Sequence, residues 1–136
     1  MILFLDTSTE VCRVWLDEKY FERELGREMA RSTLAFLEEI LQGEGVAWQD
    51  LSGLVVFAGP GSFTGLRIGA TIMNTLASSL DIPIVAATNS DFSAKNDENS
   101  ADDWREIAHQ KLANGENDKI ALPFYGREAR ITKPRK

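Results

Sequence analysis

The chain has 136 residues and carries 15 Lys and Arg against 21 Asp and Glu, a formal net charge of −6. This length suits one domain with its own hydrophobic core, and the acidic balance argues against binding nucleic acid by bulk electrostatic attraction. A single cysteine excludes an internal disulfide, so we expect a cytoplasmic protein. No stretch approaches the roughly 18 apolar residues of a membrane span. One His and one Cys also exclude a Cys/His metal cluster within the chain.

The first 25 residues have the patterns of three strands. Residues 2–5 form a short apolar run, which is typical of a strand buried on both faces. Residues 11–16 alternate apolar with more polar side chains, as in a half-buried strand, and place Cys12 inward. After a turn at 17–19, residues 20–25 fit a third strand. We therefore predict an antiparallel meander.

The period then changes to that of a helix over residues 28–42. Two neighbouring apolar stripes run along it: Ala30, Leu34, Leu37 and Leu41, and Met29, Thr33, Phe36 and Ile40. We expect the second stripe to be exposed. A buried strand at 54–58, a glycine-rich loop at 59–65, a helix at 66–80 and a short strand at 82–86 follow. Because this second helix is apolar over most of its circumference, one sheet cannot cover all of its apolar surface.

Composition shifts after residue 88. Residues 89–119 are polar, with one moderate helix near 102–114, and residues 120–136 form a basic tail. The element order βββαβαβα predicts an α/β fold with a mixed five-stranded sheet and helices on its faces. This order matches one lobe of the ribonuclease H-like fold found in actin-like ATPases. We expect residues 1–88 to form that lobe.

Two loops carry the polar and glycine residues that could bind phosphate. Glycines between a strand and a helix can aim backbone amides at an anion, and Asp6 with nearby hydroxyls could position a metal–phosphate. The candidate residues are Asp6, Thr7, Ser8, Gly61, Ser62 and Thr64. The alternative is that the glycines allow close packing and that Asp6 caps a turn. The lone His109 fits an exposed or packed side chain better than a ligand or base.

Three segments together resemble the TsaB (YeaZ) family of bacterial tRNA threonylcarbamoyladenosine synthesis. They are residues 1–10, residues 59–69 (GPGSFTGLRIG) with 80–85, and residues 122–127 with 131–134. The resemblance implies a non-catalytic subunit without a cofactor, paired with the TsaD-type catalytic subunit and joined by the TsaE-type ATPase, so that tRNA is reached through the complex. The catalytic relative's His-x-x-x-His metal pair falls near Met29 and Thr33, neither of which binds a metal. Family members have two lobes, whereas here one helix within 89–119 stands where the second lobe is expected.

In this family the first two helices of the lobe pack against their counterparts in the catalytic subunit. The resemblance thus places the partner interface on helices 28–42 and 65–80. The expected residues are Met29, Thr33, Phe36, Ile40, Gly65, Gly69, Ile72 and Leu76. We weigh this against self-coverage of the same stripes by the last helix of the chain. A free-standing homodimer and a nucleotide-binding ATPase or phosphotransferase using Asp6 and the 59–65 loop are the functional alternatives.

Overall fold

The computed structural model describes residues 1–88 and 100–122, which form an α/β fold around one five-stranded sheet. The strands are β1 (Ile2–Asp6), β2 (Val11–Leu16), β3 (Lys19–Glu24), β4 (Gly53–Phe57) and β5 (Ile84–Ala87). The helices are α1 (Met29–Gly43), α2 (Phe63–Leu80) and α3 (Ser100–Ala113), with short 3-10 turns at Gly26–Glu28 and Trp48–Asp50. The predicted element order is confirmed, and the boundaries differ by only a few residues.

The sheet has the spatial order β3-β2-β1-β4-β5. β1, β2 and β3 form an antiparallel meander, while β4 and β5 run parallel to β1. This mixed arrangement confirms the expected ribonuclease H-like lobe. The central strands β1 and β4 are covered on both faces, which explains why their sequences are continuous apolar runs rather than alternating ones.

Alternate residues of the strands enter two separate cores. Leu3, Leu5, Leu54 and Val56 face α1 and α2 in the first core. Phe4, Val55, Phe57 and Val85 face α3 in the second core. Helices therefore lie on both faces of the sheet, with α3 alone on one of them among the described residues.

The second core is built around Trp104 of α3, whose side chain is only 1% exposed. Its ring centroid lies 5.1 Å from that of Phe57, 5.4 Å from that of Trp15 and 6.2 Å from that of Phe4. These tilted and edge-on geometries are favourable for aromatic pairs. Because α3 is committed to this face, the alternative in which the last helix covers the outer stripes of α1 and α2 is wrong.

The single histidine of the chain also lies on α3. His109 is exposed on α3, as one of its two expected environments. Within residues 1–88 and 100–122, no helix has both the length and the apolar character needed to cross a membrane. Residues 89–99 of the predicted linker and residues 123–136 of the predicted basic tail lie outside the described residues.

We predict that Trp104→Ala lowers the free energy of unfolding by about 3–5 kcal/mol, because it empties the centre of the second core. Urea denaturation followed by circular dichroism measures this change. His109→Ala, at an exposed position on the same helix, serves as the control and should stay within about 0.5 kcal/mol of the wild type. Equal stability of the two variants would contradict the assignment of α3 to the core.

Cys12 allows a pH test of the first core. Burial raises the pKa of its thiol from 9.0 to about 11. The unfolded thiol ionises first as pH rises, so the folded state loses this contribution to stability between pH 9 and 11 and is unaffected below. We expect the stability advantage of the wild type over Cys12→Ala to narrow across that range in urea titrations. A constant difference from pH 8 to 11 would contradict a buried, neutral thiol.

Candidate functional site

Residues 6–8 and the glycine-rich loop at 59–65 meet at the carboxyl ends of β1 and β4, which are neighbouring parallel strands. The backbone N–H of Ser62 donates to the carbonyl oxygen of Ser8 at 2.9 Å. The hydroxyl of Thr7 donates to the carbonyl oxygen of Gly65 at 2.6 Å, where both groups are buried. The Ser62 hydroxyl in turn accepts from the N–H of Gly65 at 3.1 Å and caps α2. The loops are therefore joined to each other by hydrogen bonds.

Three glycines make this approach possible. A Cβ atom at Gly61 would clash with the Cβ of Ser8, one at Gly65 with the carbonyl oxygen of Thr7, and one at Gly69 with the Thr7 hydroxyl. A side chain at Gly61 would push the glycine-rich loop away from Ser8, and one at Gly65 or Gly69 would push α2 away from Thr7. The glycine-rich string is thus explained by close packing, which was one of its two interpretations.

The carboxylate of Asp6 is bound by other groups of the same chain. It is buried, with one oxygen 2.9 Å from the N–H of Ser8 and the other 3.3 Å from Nη1 of Arg13. Asp6 thus caps a turn, as in the alternative to phosphate binding, and it also forms an ion pair with Arg13. Gly61 and Ser62 of the loop and Thr64 in the first turn of α2 are exposed. In residues 1–88 and 100–122, no three His, Cys, Asp or Glu side chains gather where they could hold a metal ion.

The expected exposure of the second stripe of α1 is wrong. Met29, Thr33, Phe36 and Ile40 are all buried against the sheet in the first core or beside it. Leu37 and Leu41 of the other stripe are buried in the same core, so the inward face of α1 takes its residues from both stripes. At the edge of this face, Arg23 of β3 forms two hydrogen bonds with Glu39 at 3.0 and 3.1 Å, and its guanidinium lies 4.5 Å from the ring of Phe36. Ala30 and Leu34 are left on the outside.

The expected interface residues of α2 divide into two groups. Gly65 and Gly69 are buried on the inward side of the helix against Thr7, so the expectation that these two glycines lie in the partner interface is wrong. Ile72 and Leu76 are partly buried and pack against the first core. Of the eight expected interface residues, these two alone keep an accessible part, and their role stays a prediction.

A groove of about 350 Å³ lies between the outer sides of α1 and α2. It is lined by Ala30, Thr64, Arg67, Ile68, Thr71 and Ile72. Leu34 lies one helical turn after Ala30 and is 47% exposed, and Phe63 at the start of α2 is 54% exposed. Sequence reasoning missed Ala30 and Leu34 because both stripes of α1 are apolar and are offset by a single residue.

Comparisons with known proteins agree with this lobe. The family model for tRNA N6-adenosine threonylcarbamoyltransferase (TsaD) matches residues 23–102, which is more than half of the chain. The tRNA threonylcarbamoyladenosine biosynthesis protein TsaB of Haemophilus influenzae is 40% identical over 92 residues, covering 65% of this chain and 39% of that protein. The chain belongs to the TsaD-related TsaB/YeaZ family.

Two further relatives, a TsaB and a YeaZ protein, are also matched over only part of their length. TsaB of Escherichia coli is 37% identical over 92 residues, which cover 64% of this chain and 39% of that protein. The solved structure of YeaZ from Pseudomonas aeruginosa superposes with a TM-score of 0.58 at 27% identity, covering 68% of this chain and 48% of that one. The chain thus matches less than half the length of these three proteins.

The packing of Gly69 on Thr7 yields a stability prediction. We expect Gly69→Ala to lower the free energy of unfolding by about 1–3 kcal/mol, because the new methyl group overpacks a closed contact. In a Thr7→Ala background the hydroxyl is gone, so the same change should be neutral or stabilising, since Ala favours a helix interior over Gly by about 0.5–1 kcal/mol. A double-mutant cycle by urea denaturation measures the coupling, and equal effects in both backgrounds would refute the contact.

Proposed function

We propose that this chain takes part in tRNA threonylcarbamoyladenosine biosynthesis as a non-catalytic subunit. In this proposal it pairs with the TsaD-type catalytic subunit through the outer face of α1 and α2. Family membership supports the pathway, because the relatives named TsaB are described as biosynthesis proteins for this modification. The match to the TsaD family model supports pairing between related lobes.

The observation that carries the proposal is the uncovered groove between α1 and α2. Ala30 and the half-buried Ile68 and Ile72 line it with apolar surface, and the exposed Leu34 follows one helical turn after Ala30 on α1. The described helix α3 lies on the opposite face of the sheet and covers none of it. Exposed apolar patches of this kind mark protein interfaces more often than free surface. A pair of partner helices would complete the packing.

The non-catalytic role is supported by the two positions that correspond to the metal pair of the catalytic relative. Met29 and Thr33 both point into the protein and are 4% and 0% exposed. The Thr33 hydroxyl donates to the carbonyl oxygen of Met29 at 2.6 Å. Neither side chain is available to bind a metal ion at the surface. We infer that the catalytic chemistry resides in the partner.

We expect Leu34→Asp to weaken pairing with the TsaD-type subunit. The substitution places a charge in the apolar contact without disturbing the core, because Leu34 is 47% exposed in the free chain. The dissociation constant measured by isothermal titration calorimetry should rise at least about tenfold. Formation of threonylcarbamoyladenosine on tRNA in a reconstituted system should fall in parallel.

The matched control is Gln110→Asp, which adds the same charge at an exposed position of α3 on the opposite side of the sheet. It should bind as the wild type does. If both variants, or neither, lose binding while circular dichroism shows them folded, the proposed interface is wrong. A wild-type chain that forms only a homodimer, or that binds ATP alone with micromolar affinity, would favour the two alternative functions instead.

The TsaE-type ATPase and tRNA enter this proposal only through the assembled complex. Sedimentation of the heterodimer with and without the TsaE-type subunit tests whether the third protein joins. Titration of tRNA into the chain alone and into the complex separates a direct contact from an indirect one, because phosphate contacts lose affinity steeply as salt rises.

A further inference from the structure

Residues 117–122, here called the strap, run along the outer edge of β5. The side-chain oxygen of Asn117 accepts from the N–H of Ile84 at 3.1 Å, and the N–H of Asp118 donates to the carbonyl oxygen of Ile84 at 2.8 Å. The Asp118 carboxylate accepts from the N–H of Ala86 at 2.8 Å. The strap therefore satisfies three backbone groups of β5, at Ile84 and Ala86, that an edge strand would otherwise leave open.

The strap is also clasped to α2 by one side chain. The carboxamide of Asn74 accepts from the N–H of Ala121 at 2.7 Å and donates to the carbonyl oxygen of the same residue at 2.9 Å. Ala121 is 1% exposed and belongs to the first core. The side-chain oxygen and nitrogen of Asn74 thus both bond to the backbone of one residue, in the way that two residues of paired strands exchange two hydrogen bonds. We call this pair of bonds the Asn74 clasp.

α2 needs such an anchor because much of its sheet-facing side is small. Gly65, Gly69, Ala70 and Ala77 provide few side-chain atoms to resist sliding, and dispersion contacts scale with the number of atoms in contact. Thr7 holds the beginning of the helix through Gly65. Among the described residues, the Asn74 clasp is the side-chain hydrogen bond that ties the second half of α2 to another part of the chain.

We propose that Asn74 is a positioning residue that fixes the docking groove through the strap. Thr71 and Ile72, which line the groove, lie within one helical turn of Asn74. The clasp holds the flank of α2 that faces the strap, so that the opposite flank keeps its place beside α1. This inference rests on the proposed function for its link to partner binding, whereas its structural part concerns this chain alone.

The test compares two variants that release the strap from different sides. Asn74→Ala removes the clasp from α2, and Asp118→Ala removes a bond from the strap to β5 without touching α2. We expect each to raise the dissociation constant for the TsaD-type subunit about tenfold, at a temperature where circular dichroism shows full folding. Because both act through the strap, the double variant should be no weaker than the weaker single one.

Nuclear magnetic resonance of the full chain gives a readout that needs no partner. We expect faster amide exchange at Ile84 and Ala86 in Asn74→Ala, although residue 74 does not bond to either amide. The methyl resonances of Ile68 and Ile72 should shift in both variants. Ser78→Ala, at an exposed α2 position one turn further on, is the control and should leave exchange and shifts unchanged.

The outcomes separate the inference from the proposed function. If the wild type binds the partner and both variants bind equally well, the strap is only an edge cover and the inference fails while the proposed function stands. Unchanged Ile68 and Ile72 resonances in both variants would also overturn it. If the wild type does not bind but these resonances shift as expected, the proposed function fails and the positioning role of Asn74 stands.

Discussion

The approach of α2 to the β1–β2 loop is the constraint on which the rest of the lobe depends. Thr7 is fully buried beneath the helix, and its hydroxyl bonds to Gly65 while Gly69 passes over it. This contact sets the height of α2 above the sheet at the carboxyl ends of β1 and β4. The glycine spacing therefore serves packing first, and the groove beside α1 exists because α2 is held so close.

The apolar residues of α2 occupy more of its circumference than one sheet can cover, because the helix has three neighbours. One side meets the sheet and the Thr7 loop, a second faces α1 across the groove, and a third meets the strap through Asn74. A hydrophobic stripe wider than one sheet can cover is then expected. Among residues 1–88 and 100–122, the groove side of α2 carries apolar surface without a complete cover, whereas the outward side with Thr75 and Ser78 is polar and exposed. The uncovered apolar surface is therefore narrower than the sequence pattern alone indicates.

Most of the fold could be predicted from the sequence because its signals are local. The uninterrupted runs of β1 and β4, the alternation in β2 and the helical periods each depend on near neighbours. The orientation of α1 could not be predicted, because its two apolar stripes are neighbours and the buried face takes Phe36 and Ile40 from one and Leu37 and Leu41 from the other. The place of α3 was equally out of reach, since its pattern does not say which face of the sheet Trp104 enters.

In the candidate site, too, one part could be predicted from the sequence and another could not. The sequence identified Asp6, Thr7 and the glycine loop as unusual, and the structure brings all of them together. It also joins their polar groups to one another, so that a motif which resembles a phosphate-binding loop acts here as the joint between β1 and α2. Met29 and Thr33 are buried in the same lobe, 4% and 0% exposed. In the proposed pairing the lobe presents α1 and α2 to its partner, and the joint at Thr7 fixes the first half of α2.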